Sequence, residues 1–282
     1  MSERDAWPIT DRDAFQAMVR KWITANWSVS ITVRQWWDRL GGAGLTVPTW
    51  PTPLGGLGAT TTIQGVIEQE LGRIGTIAPP LSGVGVHLVG PVLRQFGTDD
   101  QRERFTHAIV RGTSNWCLLF DEPDGADPTS ITSTATREGS GPWSVDAVKL
   151  TSGAEAADLG LLLVRTGGDA GSREGLTCAV LDLDQPTVNV QTLSTGGSLV
   201  VCRGASIGAD GAVGVVGAVG EGFAVAQTVL AHRQTTLAGR IRRGLVEVVA
   251  GERAGNLDRT TGDVLTRTKA APPPPTERRR RP

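Results

Sequence analysis

The sequence predicts an α+β multidomain chain. An N-terminal all-α domain covers 8–114, a middle β-barrel domain 115–222 and an incomplete C-terminal helical bundle 223–258, with a disordered Pro/Arg tail over 259–282. Three observations predict this. Up to Gly112 apolar residues recur at three- and four-residue spacing; from Trp116 to Val219 they come in short runs between glycine-rich turns; from Phe223 the helical spacing returns. With 39% apolar and 20% charged residues the chain has ordinary globular composition.

Residues 11–27 carry Phe15, Met18, Val19, Trp22, Ile23 and Asn26 at helical spacing, with Thr10 or Asp11 available as the cap. A second short helix, Ile31–Leu40, ends at Gly41–Gly44. Val47–Thr60 is too rich in proline and glycine for regular structure and reads as a loop crossing the domain. A long helix follows over Thr61–Ile74; Glu70 on its apolar face is expected to pair with Arg73. The helix Val84–Phe96 must kink or restart at Pro91. His87 within it reads as a core or rim residue and His107 as a solvated one. In Gly97–Gly112, Thr98 and Gln101 form a capping box and Gly112 stands beyond the end.

Asn115–Asp127, NWCLLFDEPDGAD, then reads as a strand delivering an acidic turn to a surface site. Further strands are expected at Ile131–Arg137, Trp143–Leu150, Leu159–Arg165, Leu176–Leu183, Val188–Leu193, Leu199–Cys202 and Ala212–Val219, which argues a small barrel or sandwich. Gly217–Gly222 lacks the register and lysine of a nucleotide loop. Helices return at Phe223–Leu230 and over 236–252. From Thr260 the periodicity fails, and the ending AAPPPPTERRRRP reads as a truncated or shifted frame.

Several function classes are excluded on composition. A net charge of −1 gives no overall field for nucleic acid or an anionic membrane, and Arg278–Arg281 read as solvated. No run approaches the roughly 18 apolar residues of a membrane span. The N-terminus has no apolar h-region, so a cytoplasmic location is expected. Cys117, Cys178 and Cys202 have no metal-ligand spacing and read as buried free thiols; no metal site is expected.

PLGGLG (Pro53–Gly58), EQELGR (Glu68–Arg73), GPVLRQFGTDDQRERF (Gly90–Phe105), WC with DEP (Trp116–Pro123), TSGAEAAD (Thr151–Asp158), LLLVRT (Leu161–Thr166) and GEGFAVAQTVLAHR (Gly220–Arg233) follow one another in the order of family signatures. Over roughly residues 10–258 the chain thus resembles the acyl-CoA dehydrogenase family. The resemblance implies an FAD-dependent flavoprotein that oxidises the Cα–Cβ bond of a CoA thioester, fatty acyl or steroid side chain. It places the flavin at Trp116, Leu119, Phe120, Asp121, Leu150, Thr151 and Ser152, and the CoA arm at Ala126 and Asp127. The family's catalytic glutamate lies in the C-terminal part that does not match here, so no catalytic residue is assigned.

The site departs from the family pattern. Asp121 stands where the family has a hydroxyl at the flavin pyrimidine edge, Ala126 where a serine holds CoA, and Leu150 where a tryptophan packs on the ring; Glu122 and Pro123 match. Two like charges about 4 Å apart cost about 4 kcal/mol at an effective dielectric of about 20, so a carboxylate at that edge opposes the reduced, negatively charged flavin. The expected partners are an acyl-CoA substrate and another acyl-CoA dehydrogenase-like chain in a homo- or hetero-oligomer, with FAD retained, lost or shared between subunits. The alternatives are a non-catalytic subunit, a CoA-thioester binder or an inactive truncated remnant.

Overall fold

The computed structural model describes residues 6–75, 83–125, 127–194, 196–208 and 213–234. The chain divides into two units, 1–233 and 234–282, and the fold described here belongs to the first. The helix expected over 236–252, the truncation and the Pro/Arg tail lie outside the described residues.

The N-terminal helices are α1 (Arg12–Asn26), α2 (Val33–Gly42), α3 (Thr61–Ile74), α4 (Gly90–Phe96) and α5 (Asp99–Arg111). Asp11, not Thr10, caps α1 by accepting from the N–H groups of Asp13 and Ala14. Phe15, Val19 and Ile23 of α1 are buried against Trp36 and Leu40 of α2 and Ile63, Val66, Ile67 and Leu71 of α3, while Met18 is 40% exposed and lies off that face. Thr32 and Gln35 make a capping box on α2, and Thr98 and Gln101 make the expected one on α5, which Gly112 ends at φ +64°.

Glu70 is fully buried, and its pairing is richer than the expected one with Arg73. Arg20 of α1 donates twice, at 2.9 and 2.8 Å, Gln16 donates at 2.7 Å and Arg73 at 3.1 Å. The Arg20 bond, against the opposing effect of burial, holds the carboxyl at a pKa of about 2. A buried carboxylate with four donors ties α1 to α3 in one register.

Pro91 has no N–H to give the preceding turn. The helix answers by widening: Gly85–Val89 is a π turn in which the Gly90 N–H reaches the Gly85 carbonyl. The widened turn leads directly into α4, so the expected kink takes the form of a change in helical pitch. Gly90 leaves room for the Trp50 ring, which a Cβ there would strike.

Eight strands follow among the described residues: β1 (Trp116–Leu119), β2 (Thr134–Thr136), β3 (Trp143–Thr151), β4 (Leu159–Arg165), β5 (Leu176–Asp182), β6 (Val188–Thr192), β7 (Ser198–Ile207) and β8 (Val215–Val216). Their order is β6-β7-β3-β2-β4-β5-β8, with β1 parallel on β4. The expected barrel does not close. β6 pairs with β7 alone and the two-residue β8 with β5 alone, so the two ends of the sheet never meet in a ladder. The sheet curls instead around its own side chains: Leu119, Val145, Ala147, Leu162, Val164, Leu181, Val200 and Cys202 make one core.

The opposite face of β4 and β5 presents Leu161, Leu163, Cys178 and Val180 to Val92, Leu93 and Ile109 of the helices and to Val225 and Val229. The last two belong to α6, residues 222–234. Two buried faces explain the unbroken apolar runs of these strands. β7 runs five residues past its expected end because Gly204, at φ +67°, is an extra residue opposite Val145 and Asp146. The alternation is thereby broken at Arg203 and resumes at Ala205. The three cysteines are buried and free, and burial pushes the thiols up, to about 12 at Cys117 and about 11 at Cys202.

The 47–60 loop is held by its own carbonyls: Leu57 and Ala59 donate to Pro48, and Gly58 to Trp50. A Cβ on Gly56 would sit 2.5 Å from the Val47 carbonyl oxygen and closer still to that of Trp50, whereas Gly58, at φ +63°, faces open space. Gly56→Ala is therefore expected to cost about 3 kcal/mol or more through backbone displacement, and Gly58→Ala about 1 kcal/mol through its left-handed backbone alone. Urea denaturation of the two variants checks this; equal losses would contradict the packing.

Candidate functional site

The site begins where β1 runs out. After Leu119 and Phe120 the chain turns tightly, Glu122 and Gly125 exchanging backbone hydrogen bonds at 3.1 Å around Pro123 and Asp124. The Leu150 N–H donates to the Asp121 carbonyl at 2.8 Å, which lays the turn against the end of β3.

The Glu122 side chain points inward from this turn. Its carboxylate accepts from Lys149 Nζ at 2.7 Å, from the Thr132 N–H at 2.8 Å and hydroxyl at 2.7 Å, and from the Ser133 N–H at 3.0 Å. Lys149 is 0% exposed. Burial by itself would raise the Glu122 pKa, but the ammonium and the Ser133 and Thr132 donors together hold it at about 2. Burial depresses the Lys149 pKa, and the glutamate partly offsets this. One ion pair thus joins three segments: the β1 exit, β3 and residues 131–133.

Beside the pair opens a cleft of about 350 Å³, near the small end of ligand pockets. Val84 and Leu88, one turn apart at the π turn, and Leu118 of β1 supply an apolar wall. Leu150, Thr151 and Ser152 supply an edge with two hydroxyls, and Asp121 and Arg233 supply opposite charges.

Of the residues expected at the site, Asp121, Leu150, Thr151 and Ser152 are brought together in this cleft. Trp116 lines a second recess of about 240 Å³ with Gly85, Ile109 and Gly153. Its indole N–H donates to the Ser114 hydroxyl, and its ring packs edge-on to Phe105 at 5.3 Å. Leu119 is fully buried in the sheet core, and Phe120 is buried between sheet and helices. Asp127 does not line the cleft: it caps a short turn, accepting from the Thr129 N–H at 2.8 Å and hydroxyl at 2.9 Å, which holds its pKa down. Ala126 lies outside the described residues. No group of side chains suited to a metal ion occurs among the described residues, and no helix among them is long and apolar enough to cross a membrane.

Sequence reasoning missed Glu122 and Lys149 as partners, although a signal was present. Val145, Ala147 and Lys149 share the inward parity of β3, and a lysine on an inward face requires an acid. It missed the Arg233, Val84 and Leu88 contributions altogether, since nothing in their spacing relates them to residue 121.

Residues 10–113 match the family model for the acyl-CoA dehydrogenase N-terminal domain. Acyl-CoA dehydrogenase FadE34 of Mycobacterium tuberculosis is 35% identical over 182 residues, covering 62% of this chain and 25% of the relative. Acyl-CoA dehydrogenase IpdE1 of the same organism is 35% identical over 153 residues, covering 52% and 39% respectively. The chain therefore spans between a quarter and two fifths of these curated relatives. Among solved structures, the Tcur3481-Tcur3483 steroid ACAD superposes with a TM-score of 0.65 at 26% identity, covering 91% of this chain and 71% of that one. The ChsE4-ChsE5 complex from Mycobacterium tuberculosis shares the fold, with a TM-score of 0.61 at 20% identity over 78% of this chain and 59% of that one.

Lys149→Met or Glu122→Gln is expected to cost about 3–5 kcal/mol, because each leaves a buried charge or acceptor set without its partner, whereas the double change Lys149→Met with Glu122→Leu recovers much of the loss. The Glu122 contribution is complete above its unfolded pKa of 4.5 and is lost as pH falls towards 2. Glu122→Gln should accordingly flatten the loss of stability between those pH values; an unchanged acid limb in chemical denaturation would show that the pair carries no such linkage.

Proposed function

We propose, on the match of residues 10–113 to the acyl-CoA dehydrogenase N-terminal domain and the 35% identity to FadE34, that the chain is an FAD-dependent acyl-CoA dehydrogenase-type protein and that the cleft at Asp121 and Leu150–Ser152 is its flavin-ring site. The reaction is α,β-dehydrogenation of a fatty acyl or steroid side-chain CoA thioester, carried out in an assembly with a second such chain. The observation that supports this reading best is the convergence of residues thirty positions apart on one cleft with an apolar wall and a hydroxyl-bearing edge.

The lining fits a flat heteroaromatic ring. Val84, Leu88 and Leu118 can cover its face and exclude water, and the Thr151 and Ser152 hydroxyls can donate or accept at its rim. When bound, FAD supplies the two-electron acceptor for oxidation of the Cα–Cβ bond. The remaining need is a base for the α-proton, within hydrogen-bond reach of it. Glu122 does not meet that need: its carboxylate is buried, engaged by four donors and held at a pKa of about 2. This supports a base supplied from outside the described residues. A steroid substrate and an assembly with a second such chain both draw support from the 26% identity to the Tcur3481-Tcur3483 steroid ACAD.

A second reading, a non-catalytic subunit with a worn cofactor site, is favoured by Asp121 and Leu150. A carboxylate replaces a neutral rim group, and an isobutyl group covers less of a ring than an indole does.

Purified alone, and co-expressed with a second acyl-CoA dehydrogenase-like chain, the protein is expected to show flavin absorption near 450 nm (roughly the band of any bound flavin) more strongly in the assembly. Asp121→Thr with Leu150→Trp should raise flavin occupancy several-fold in either preparation. Absence of flavin from both preparations and from the double variant would refute a flavin site here. Flavin without thioester oxidation in the assembly would favour the non-catalytic subunit.

A further inference from the structure

Among the described residues, the side chains of Asp121 and Arg233 make no ion pair or hydrogen bond with one another or with any other group, yet both line the same 350 Å³ cleft. They contrast with Glu122, one residue along, which is saturated. Lys149 feels the field of Asp121 but spends its hydrogen bond on Glu122. The cleft therefore offers a ligand one acceptor-only group and one donor-only group, both unspent.

A carboxylate differs from the hydroxyl of Thr151 or Ser152 in one decisive way: when ionised it only accepts, so the ligand atom facing it must carry a hydrogen. A guanidinium only donates, so the atom facing it must be an oxygen or a negative charge. A cyclic imide edge, with one N–H flanked by two carbonyl oxygens, satisfies both. Resting on the flavin reading above, we infer that Asp121 and Arg233 act as an opposed pair that sets which redox form of the ring the cleft holds. Asp121 accepts from the ring imide N–H and favours the neutral oxidised form; Arg233 supplies the positive charge without which the anionic reduced form is expelled. Uptake of two electrons and one proton by the ring leaves it one unit more negative, so the two side chains act on that charge with opposite sign.

The test compares FAD binding to the full chain in both forms: oxidised, by quenching of flavin fluorescence, and dithionite-reduced, by anaerobic equilibrium dialysis. The ratio of reduced to oxidised Kd is expected to fall roughly tenfold or more in Asp121→Asn, an isosteric change that keeps the cleft's shape, and to rise by a similar factor in Arg233→Gln. N3-methylated lumiflavin, which has no imide hydrogen, should bind more weakly than lumiflavin to the unsubstituted chain and equally well to Asp121→Ala. Circular dichroism establishes that each variant is folded. If FAD binds but neither variant moves the ratio, the inference is wrong and the flavin site stands. If no form of FAD binds to the chain or to Asp121→Thr with Leu150→Trp, the flavin reading falls and takes the inference with it.

Discussion

The buried ion pair between Glu122 and Lys149 is the constraint on which the site depends. Each partner is costly to bury alone, and the attraction between them repays that cost only because two backbone N–H groups and a hydroxyl complete the carboxylate's coordination. Such an arrangement tolerates little displacement. Asp121 and Leu150 are the chain neighbours of the two ions, and they carry the backbone bond that closes the turn onto β3. The cleft edge is thus placed by groups that cannot themselves take part in its chemistry.

A similar division of labour holds the opposite wall. Glu70, gathered by Arg20, Gln16 and Arg73, fixes α1 on α3 within the helical layer. Pro91 forces the preceding turn to widen, and that widened turn carries Leu88, with Val84 at its entrance, to the cleft. Helix and sheet meet through β4 and β5, whose outer faces are as apolar as their inner ones, so the joint is a continuous core. Apolar wall and polar edge are rigid for different reasons, one by packing and one by saturated hydrogen bonding.

The residues left unsaturated, Asp121, Arg233, Thr151 and Ser152, line the cleft. The acidic turn divides into a buried structural acid at 122 and an available one at 121. Residues 10–113 match the acyl-CoA dehydrogenase N-terminal domain, and the occupant proposed for the cleft rests on that likeness. On that proposal the carboxylate of Asp121 would meet the ring on different electrostatic terms from a neutral rim group.

The sequence by itself determined the local elements, because caps, spacing and turn residues act over a few positions. The capping box at Thr98 and Gln101, the helix over 61–74 and the strand at 159–165 are all legible that way. Motif order singles out Asp121 and Leu150–Ser152, which line one cleft in the structure. Only the tertiary structure decided that the sheet stays open, since closure depends on whether two edges far apart in the chain come to pair, and β8 is too short to do so. Only it decided that Leu119 and Phe120 are core, that Asp127 caps a turn and that Lys149 pairs with Glu122 across 27 positions. Those outcomes rest on long-range packing and on the cost of burying charge, which no local pattern of residues encodes.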